Sequence, residues 1–295
     1  MIKQTLIFSN PVNLSLRYNQ MIISFKDSDR VISRPVEDIG VVIIENQLIN
    51  ITMPLFNALS NNNVAVIICD GKGMPNNLMM PLEANTTQQE SCKYQIEASQ
   101  PTKKKIWKDI IEAKIKNQAL VLDKTGKNGN VLKPYYSNVL SGDKDNREGA
   151  AAKIYWQRMF GEDFRRDRFG DPPNGLLNYG YAILRAAVAR ALLGSGLFPL
   201  FGLFHRNRYN AFPLADDVME PYRPFVDLAV NEIFESSTTL DLTKDVKQQI
   251  IKVLTSDVKM NGKISPLQVA LSSTTASLVR ALRENKQKIL YPQPI

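Results

Sequence analysis

Histidine occurs once in this 295-residue chain and cysteine twice. Cys69 and Cys92 cannot build a disulfide framework and lack C-x-x-C spacing, which fits a reducing compartment and excludes a cysteine-based zinc site. A single His rules out H-E-x-x-H, and any Ser or Cys nucleophile would have to share that one imidazole. Neither G-x-x-x-x-G-K-[ST] nor G-x-S-x-G occurs, so no phosphate-cradling nucleotide loop or nucleophile elbow is evident. The longest uncharged apolar run, Ala191–Phe204, has 14 residues, short of the roughly 20 that a membrane-spanning helix needs. The segment MIKQTLIFSNPVNLSL has no apolar core followed by a small-residue cleavage site, unlike a secretory leader. The expectation is a cytoplasmic protein with no membrane partner.

What is abundant is positive charge, and it is localised. The chain carries 37 Lys+Arg against 29 Asp+Glu, a net +8. Residues 101–210 hold 20 basic and 10 acidic side chains, more than the whole surplus, while the flanking regions are nearly balanced. A concentration of this kind attracts a polyanion and makes binding salt-sensitive. The lysines Lys103–Lys105 also read as a solvated helix face. The arginines Arg158, Arg165, Arg166, Arg168, Arg206 and Arg208 are a stronger signal, because Tyr155, Trp156, Phe160, Phe164 and Phe169 lie among them and guanidinium suits bidentate phosphate contacts. Charge favours nucleic acid as the partner.

The expected fold class is α+β. Short runs at Thr5–Phe8, Val12–Tyr18, Met21–Phe25 and Val31–Val36 read as strands between turn residues. Ile39–Glu45 and Val64–Cys69 are continuous apolar strands of the kind covered on both faces. Thr52-Met53-Pro54 opens a short helix, Leu55–Ser60. Residues 1–70 are therefore expected to form a small β domain with one short helix, 71–83 a linker, and 84–295 a larger all-α C-terminal domain. Its helices are placed at Ile106–Leu122, Gly149–Phe160, Leu176–Leu193, Pro224–Phe234 and Thr243–Thr255. Ser265-Pro266 reads as an N-cap and first-turn pair before a last helix reaching about Ile289.

His205 stands where an apolar run gives way to a polar, basic one. Asp216, Asp217 and Glu220 follow, with Asp217 and Glu220 at helical i,i+3 spacing. One imidazole and two carboxylates suit a divalent metal, although a lone His is more often structural and an i,i+3 acidic pair more often a solvated face. Glu148 is a further candidate at the start of a helix, where it could equally stabilise the positive helix end.

Four blocks give these residues a common frame: Asn146-Arg147-Glu148-Gly149-Ala150-Ala151-Ala152, Leu177-Asn178-Tyr179-Gly180-Tyr181-Ala182-Ile183-Leu184, Gly202-Leu203-Phe204-His205, and Leu214-Ala215-Asp216-Asp217-Val218-Met219-Glu220-Pro221-Tyr222-Arg223-Pro224. In order and distance they resemble the CRISPR-associated integrase/endonuclease family Cas1, particularly its compact type II members, over essentially the whole chain. Phe204 stands where the family pattern often has Leu.

The resemblance places the catalytic and metal-binding trio on Glu148, His205 and Glu220, with Asp217 as a supporting acid. It makes 84–295 the catalytic domain. The implied activity is integration of short prespacer duplexes into a CRISPR repeat, by attack of a DNA 3′-hydroxyl on a phosphodiester with Mg²⁺ or Mn²⁺ as cofactor. Oxygen donors suit Mg²⁺, and the imidazole tilts the site toward Mn²⁺. Arg165, Arg166, Arg168, Arg206, Arg208 and Arg223 are candidates for DNA contact, and Arg223 could equally pair with Glu220. Implied partners are double-stranded DNA, a second copy in a homodimer, the small protein Cas2 and, in type II systems, the effector nuclease. The rival readings are a metal-dependent endonuclease of branched DNA and a non-catalytic DNA-binding scaffold.

Overall fold

A computed structural model describes residues 3–205, 207–237, 239–284 and 288–295. The chain divides into two compact units, Met1–Thr86 and Thr87–Ile295.

The first unit is built on two four-stranded sheets. Strands β1 (Gln4–Phe8), β2 (Val12–Arg17), β3 (Gln20–Phe25), β4 (Val31–Pro35), β5 (Ile39–Ile44) and β6 (Asn50–Ile51) precede α1 (Met53–Asn61), β7 (Ala65–Cys69) and β8 (Pro75–Met79). One sheet has the order β1-β5-β7-β8, with β1, β5 and β7 parallel; the other has the order β4-β3-β2-β6. All six residues of β5 are buried, as its unbroken apolar run requires. Leu14, Met21, Ile39, Val42, Leu55, Leu59 and Val66 form the common core under α1. Residues 71–83, expected as a linker, instead contain β8, which pairs antiparallel with β7. Its sequence, Pro-Asn-Asn-Leu-Met, has almost no strand propensity; backbone pairing to the edge of an existing sheet forms it.

The second unit is mostly helical. Its helices are α2 (Gln88–Glu97), α3 (Gln100–Lys124), α4 (Lys133–Tyr136), α5 (Arg147–Phe160), α6 (Asn174–Gly194), α7 (Pro213–Met219), α8 (Arg223–Ser236) and α9 (Lys244–Ile251). Ser99 caps α3, its hydroxyl accepting from the Thr102 amide, and Pro101 sits in the first turn. The long α6 is buried along most of its length and packs on α7, α8, α9 and the terminal helix α10 (Leu267–Glu284).

A small antiparallel sheet breaks the all-helical expectation: β9 (Asp257–Met260), β10 (Lys263–Pro266) and β11 (Gln293–Pro294), in the order β10-β9-β11. The β9–β10 turn is Asn261-Gly262, both at positive φ (49° and 75°), a strong hairpin signal. Ser265 and Pro266 consequently end a strand rather than cap a helix, and α10 starts at Leu267 and is described to Glu284. Ile289 is not helical. Among the described residues no helix is long and apolar enough to cross a membrane.

Helix α6 approaches α8 closely only because residue 180 is glycine. A Cβ there would lie 2.4 Å from Val226 Cγ1 and 3.0 Å from Ile250 Cγ2. Gly180→Ala should therefore destabilise the protein by about 1–3 kcal/mol in urea unfolding. Part of that loss should return in Gly180→Ala/Val226→Ala, in which the closer of the two clashing groups, Val226 Cγ1, is gone.

Candidate metal centre

Glu148 owes its freedom to the way α5 begins. Asp143 accepts from the amides of Arg147 (2.8 Å) and Glu148 (3.1 Å), and Asn146 accepts from Gly149 (3.2 Å). These two residues satisfy the helix end, so the Glu148 side chain is not needed there. It reaches Lys114 of α3 instead, with Nζ to Oε1 at 2.5 Å.

Glu220 meets the same ammonium. It opens the 3-10 turn Glu220–Tyr222 between α7 and α8, and its Oε2 lies 2.5 Å from Lys114 Nζ. The Arg223 Nε–H donates to Glu220 Oε1 at 2.8 Å. Burial alone would raise the Glu220 carboxyl, but Arg223 and Lys114 overrule it and hold the group well below its ordinary range. Burial works against the Lys114 charge too, and there the two carboxylates prevail and raise the pKa. Glu220 Oε2 is buried and accepts no hydrogen bond of good geometry, so charge rather than direction holds the ammonium against it.

His205 is held from its other side. Asp217, fully buried, accepts from the backbone amides of Leu203 (2.6 Å), Phe204 (3.0 Å) and His205 (3.1 Å), and lies 2.6 Å from His205 Nδ1. A carboxylate can only accept, so Nδ1 carries the proton and Nε2 is left for a ligand. The Asp217 hydrogen bond raises the imidazole pKa against the effect of burial, with added support from the charges of Glu220 and Asp216. Phe204 stacks flat on Trp107, centroids 4.2 Å apart, and Trp107 meets the His205 ring edge-on at 5.6 Å. Gly202 is required by this tight loop: a Cβ there would sit 2.8 Å from Pro213 Cβ and 2.9 Å from the His205 carbonyl.

The structure thus brings Glu148 and Glu220 onto one cation, and ties His205 to Asp217 within electrostatic reach of Glu220. Despite their i,i+3 spacing, Asp217 and Glu220 have different partners, Asp217 the His205 loop and Glu220 the side chains of Lys114 and Arg223. Among the described residues no three His, Cys, Asp or Glu side chains are clustered as a metal site. The donor set nevertheless fits a divalent cation: two carboxylates already surround a stand-in positive charge, and the anchored imidazole offers Nε2.

Beside this centre is a cleft of about 260 Å³, lined by Lys114, Gln118, Trp156, Arg166, Arg168, Tyr181, Glu220, Arg223 and Asp227 among others. The Arg223 and Arg166 guanidinium groups lie 4.5 and 5.3 Å from the Tyr181 ring centroid. Arg166 also donates to Asn174 and Asn178, and Arg168 lies over Phe169. Arg165 donates to the carbonyls of Glu162 and Phe164, and Arg208 packs on Tyr209. Neither lines the cleft. Arg206 lies outside the described residues.

Sequence reasoning missed Lys114, although it sits four residues after Ile110 on the buried face of α3 and is only 8% exposed. It also missed Asp227, which accepts from both Tyr155 (2.9 Å) and Tyr181. Burial pushes the Asp227 carboxyl from 3.8 up to about 7, against the pull of its tyrosine hydrogen bonds and of Arg223 and Arg166. Asp216, buried, is clamped by Arg185 at 2.7 and 3.0 Å.

Two outcomes follow from these shifts. In untagged protein the single histidine gives one imidazole titration by NMR, and Asp217→Asn should lower its midpoint relative to the parent chain. Asp227 binds its proton more tightly folded than unfolded, so it removes stability as pH rises from about 4 to about 7. The melting temperature of Asp227→Asn should therefore improve relative to the parent protein across that window.

Both the sequence and the fold are similar to known proteins. The family described as CRISPR associated protein Cas1 matches residues 5–257. The chain is 37% identical over 290 residues to the CRISPR-associated endonuclease Cas1 of Neisseria meningitidis serogroup C (strain 8013), covering 97% of this chain and 94% of that protein. It is 29% identical to a CRISPR-associated endonuclease Cas1 of Pyrobaculum aerophilum, over 83% of this chain and 88% of that one. Among solved structures, a casposase bound to integration product superposes with a TM-score of 0.79 at 25% identity, covering 98% of this chain and 92% of that one. A Cas1 protein from Thermotoga maritima shares the fold with a TM-score of 0.73 at 16% identity, covering 99% and 100%. The chain belongs to the CRISPR-associated Cas1 family.

Proposed function

We propose that this chain joins DNA strands in CRISPR spacer acquisition, linking the 3′-hydroxyl ends of short prespacer duplexes to the edges of a CRISPR repeat by transesterification. The observation that carries the reading is the convergence of Glu148 and Glu220 on one positive charge beside an arginine-lined cleft. Similarity to a casposase bound to integration product supports joining over hydrolysis alone.

Glu148, Glu220 and Nε2 of His205 would hold Mg²⁺ or Mn²⁺. When bound, the metal supplies Lewis-acid polarisation of a phosphoryl oxygen and a lower pKa for an attacking hydroxyl. Asp217 holds the histidine in the tautomer that leaves Nε2 free, and Trp107 fixes the loop through Phe204. Arg166, Arg168 and Arg223 present guanidinium groups to phosphate in the cleft, while the Tyr181 ring, its hydroxyl donating to Asp227, lies against Arg166 and Arg223. Arg165, Arg206 and Arg208 are proposed to meet DNA farther from the reacting atoms.

Two strands are joined a repeat length apart, which one such centre cannot reach, so an assembly is needed. The family resemblance implies that it consists of a homodimer, a bridging Cas2 and, for a type II system, the effector nuclease, in the prokaryotic cytoplasm.

The test supplies a 3′-OH duplex and a supercoiled plasmid bearing a repeat. Glu148→Ala, His205→Ala and Glu220→Ala should each reduce joining by about 100-fold or more, with duplex affinity largely retained. Cleavage without joining would favour the endonuclease reading, and full activity of Glu148→Ala the scaffold reading.

A further inference from the structure

The Lys114 ammonium occupies the place where the metal-dependent reading needs a cation. It touches Glu148 Oε1 and Glu220 Oε2 at 2.5 Å each, and the Glu220 oxygen accepts no well-directed hydrogen bond. A divalent ion between these carboxylates would face a like charge at contact distance, so both cannot stay. The lysine also has somewhere to go. Gln118, one helical turn along the same face of α3, is 2% exposed and lines the same cleft. Its Oε1 is buried without a hydrogen-bond partner. A lysine stem has the rotamer freedom to carry its donors from one acceptor to the next. Arg223 donates to the other Glu220 oxygen, Oε1, at 2.8 Å, so that carboxylate has a second partner independent of Lys114.

We propose that Lys114 is the resident counter-cation of this site: it neutralises Glu148 and Glu220 in the metal-free protein, cedes that place to a divalent cation, and turns to Gln118. The inference rests on the metal-dependent reading above and adds that one side chain of the chain sets how readily metal enters. Removing the ammonium leaves the carboxylates to the metal alone. Removing the Gln118 acceptor leaves the displaced ammonium without a partner. The two substitutions should thus move metal affinity in opposite directions.

The experiment titrates Mn²⁺ alone into the full-length protein and reads free Mn²⁺ by electron paramagnetic resonance, with no DNA present. Lys114→Met should bind Mn²⁺ at least about tenfold more tightly than the parent protein, a difference of about 1.4 kcal/mol. Gln118→Leu should bind it several-fold more weakly, and Glu220→Gln should abolish uptake. Equal or weaker affinity in folded Lys114→Met overturns the inference while leaving the metal-dependent reading standing. Absence of uptake by both the parent protein and Lys114→Met overturns the two together. Should Lys114→Met fail to fold, the unmodified chain supplies the readout. Its Lys114 NH₃⁺ signal, assigned by loss in Lys114→Arg, should move when saturating Mg²⁺ is added. A signal unmoved at a Mg²⁺ concentration that displaces Mn²⁺ overturns the proposal.

Discussion

Two carboxylates cannot share a buried corner without positive charge between them, and much of the second unit is arranged around that constraint. Glu148 arrives from the start of α5, Glu220 from the turn after α7, and Lys114 from the middle of α3. With the acids present, stripping one partner from a buried ion pair costs about 3–5 kcal/mol. The charges therefore specify how three helical segments meet as much as they stabilise the meeting.

Around this pair the supporting groups act through orientation. Asp217 has all its accepting capacity directed at one loop, three backbone amides and one imidazole, and so fixes the loop and the ring as a single piece. Asp216 is engaged separately by Arg185 and Asn210. On the cleft side, Tyr181 lies near two guanidinium groups while its hydroxyl donates to Asp227. A wall that carries several cations is thereby kept from depending on surface lysines, whose positions are poorly determined.

The strands of the first unit and the long helices of the second could be read because their apolar spacing is set by local chain geometry. His205 stood out as the lone imidazole, Glu220 as an acid three residues from Asp217 and Glu148 as a carboxylate at a helix start, and the wording of four short blocks joined them. Lys114 did not, because a lysine in a lysine-rich helix looks solvated; only its offset of four from Ile110 placed it on the buried face. Asp227 was invisible for a different reason: its tyrosine partners lie 72 and 46 residues away, and no local pattern reports such a meeting. Strand β8 was missed because a sheet edge, not its own composition, creates it. The hairpin at Asn261-Gly262 carried a readable turn signal that the helical reading of the surrounding sequence left unused.

Trp107 and Lys114 sit on one uninterrupted helix, the first holding the histidine loop through Phe204 and the second holding the acids. Seven residues, close to two turns, separate them, or about 10 Å along the axis. Adding or deleting one residue in that interval would rotate one anchor by about 100° relative to the other. The interval acts as a ruler whose length evolution cannot adjust by single steps, so variation in chain length has to fall elsewhere.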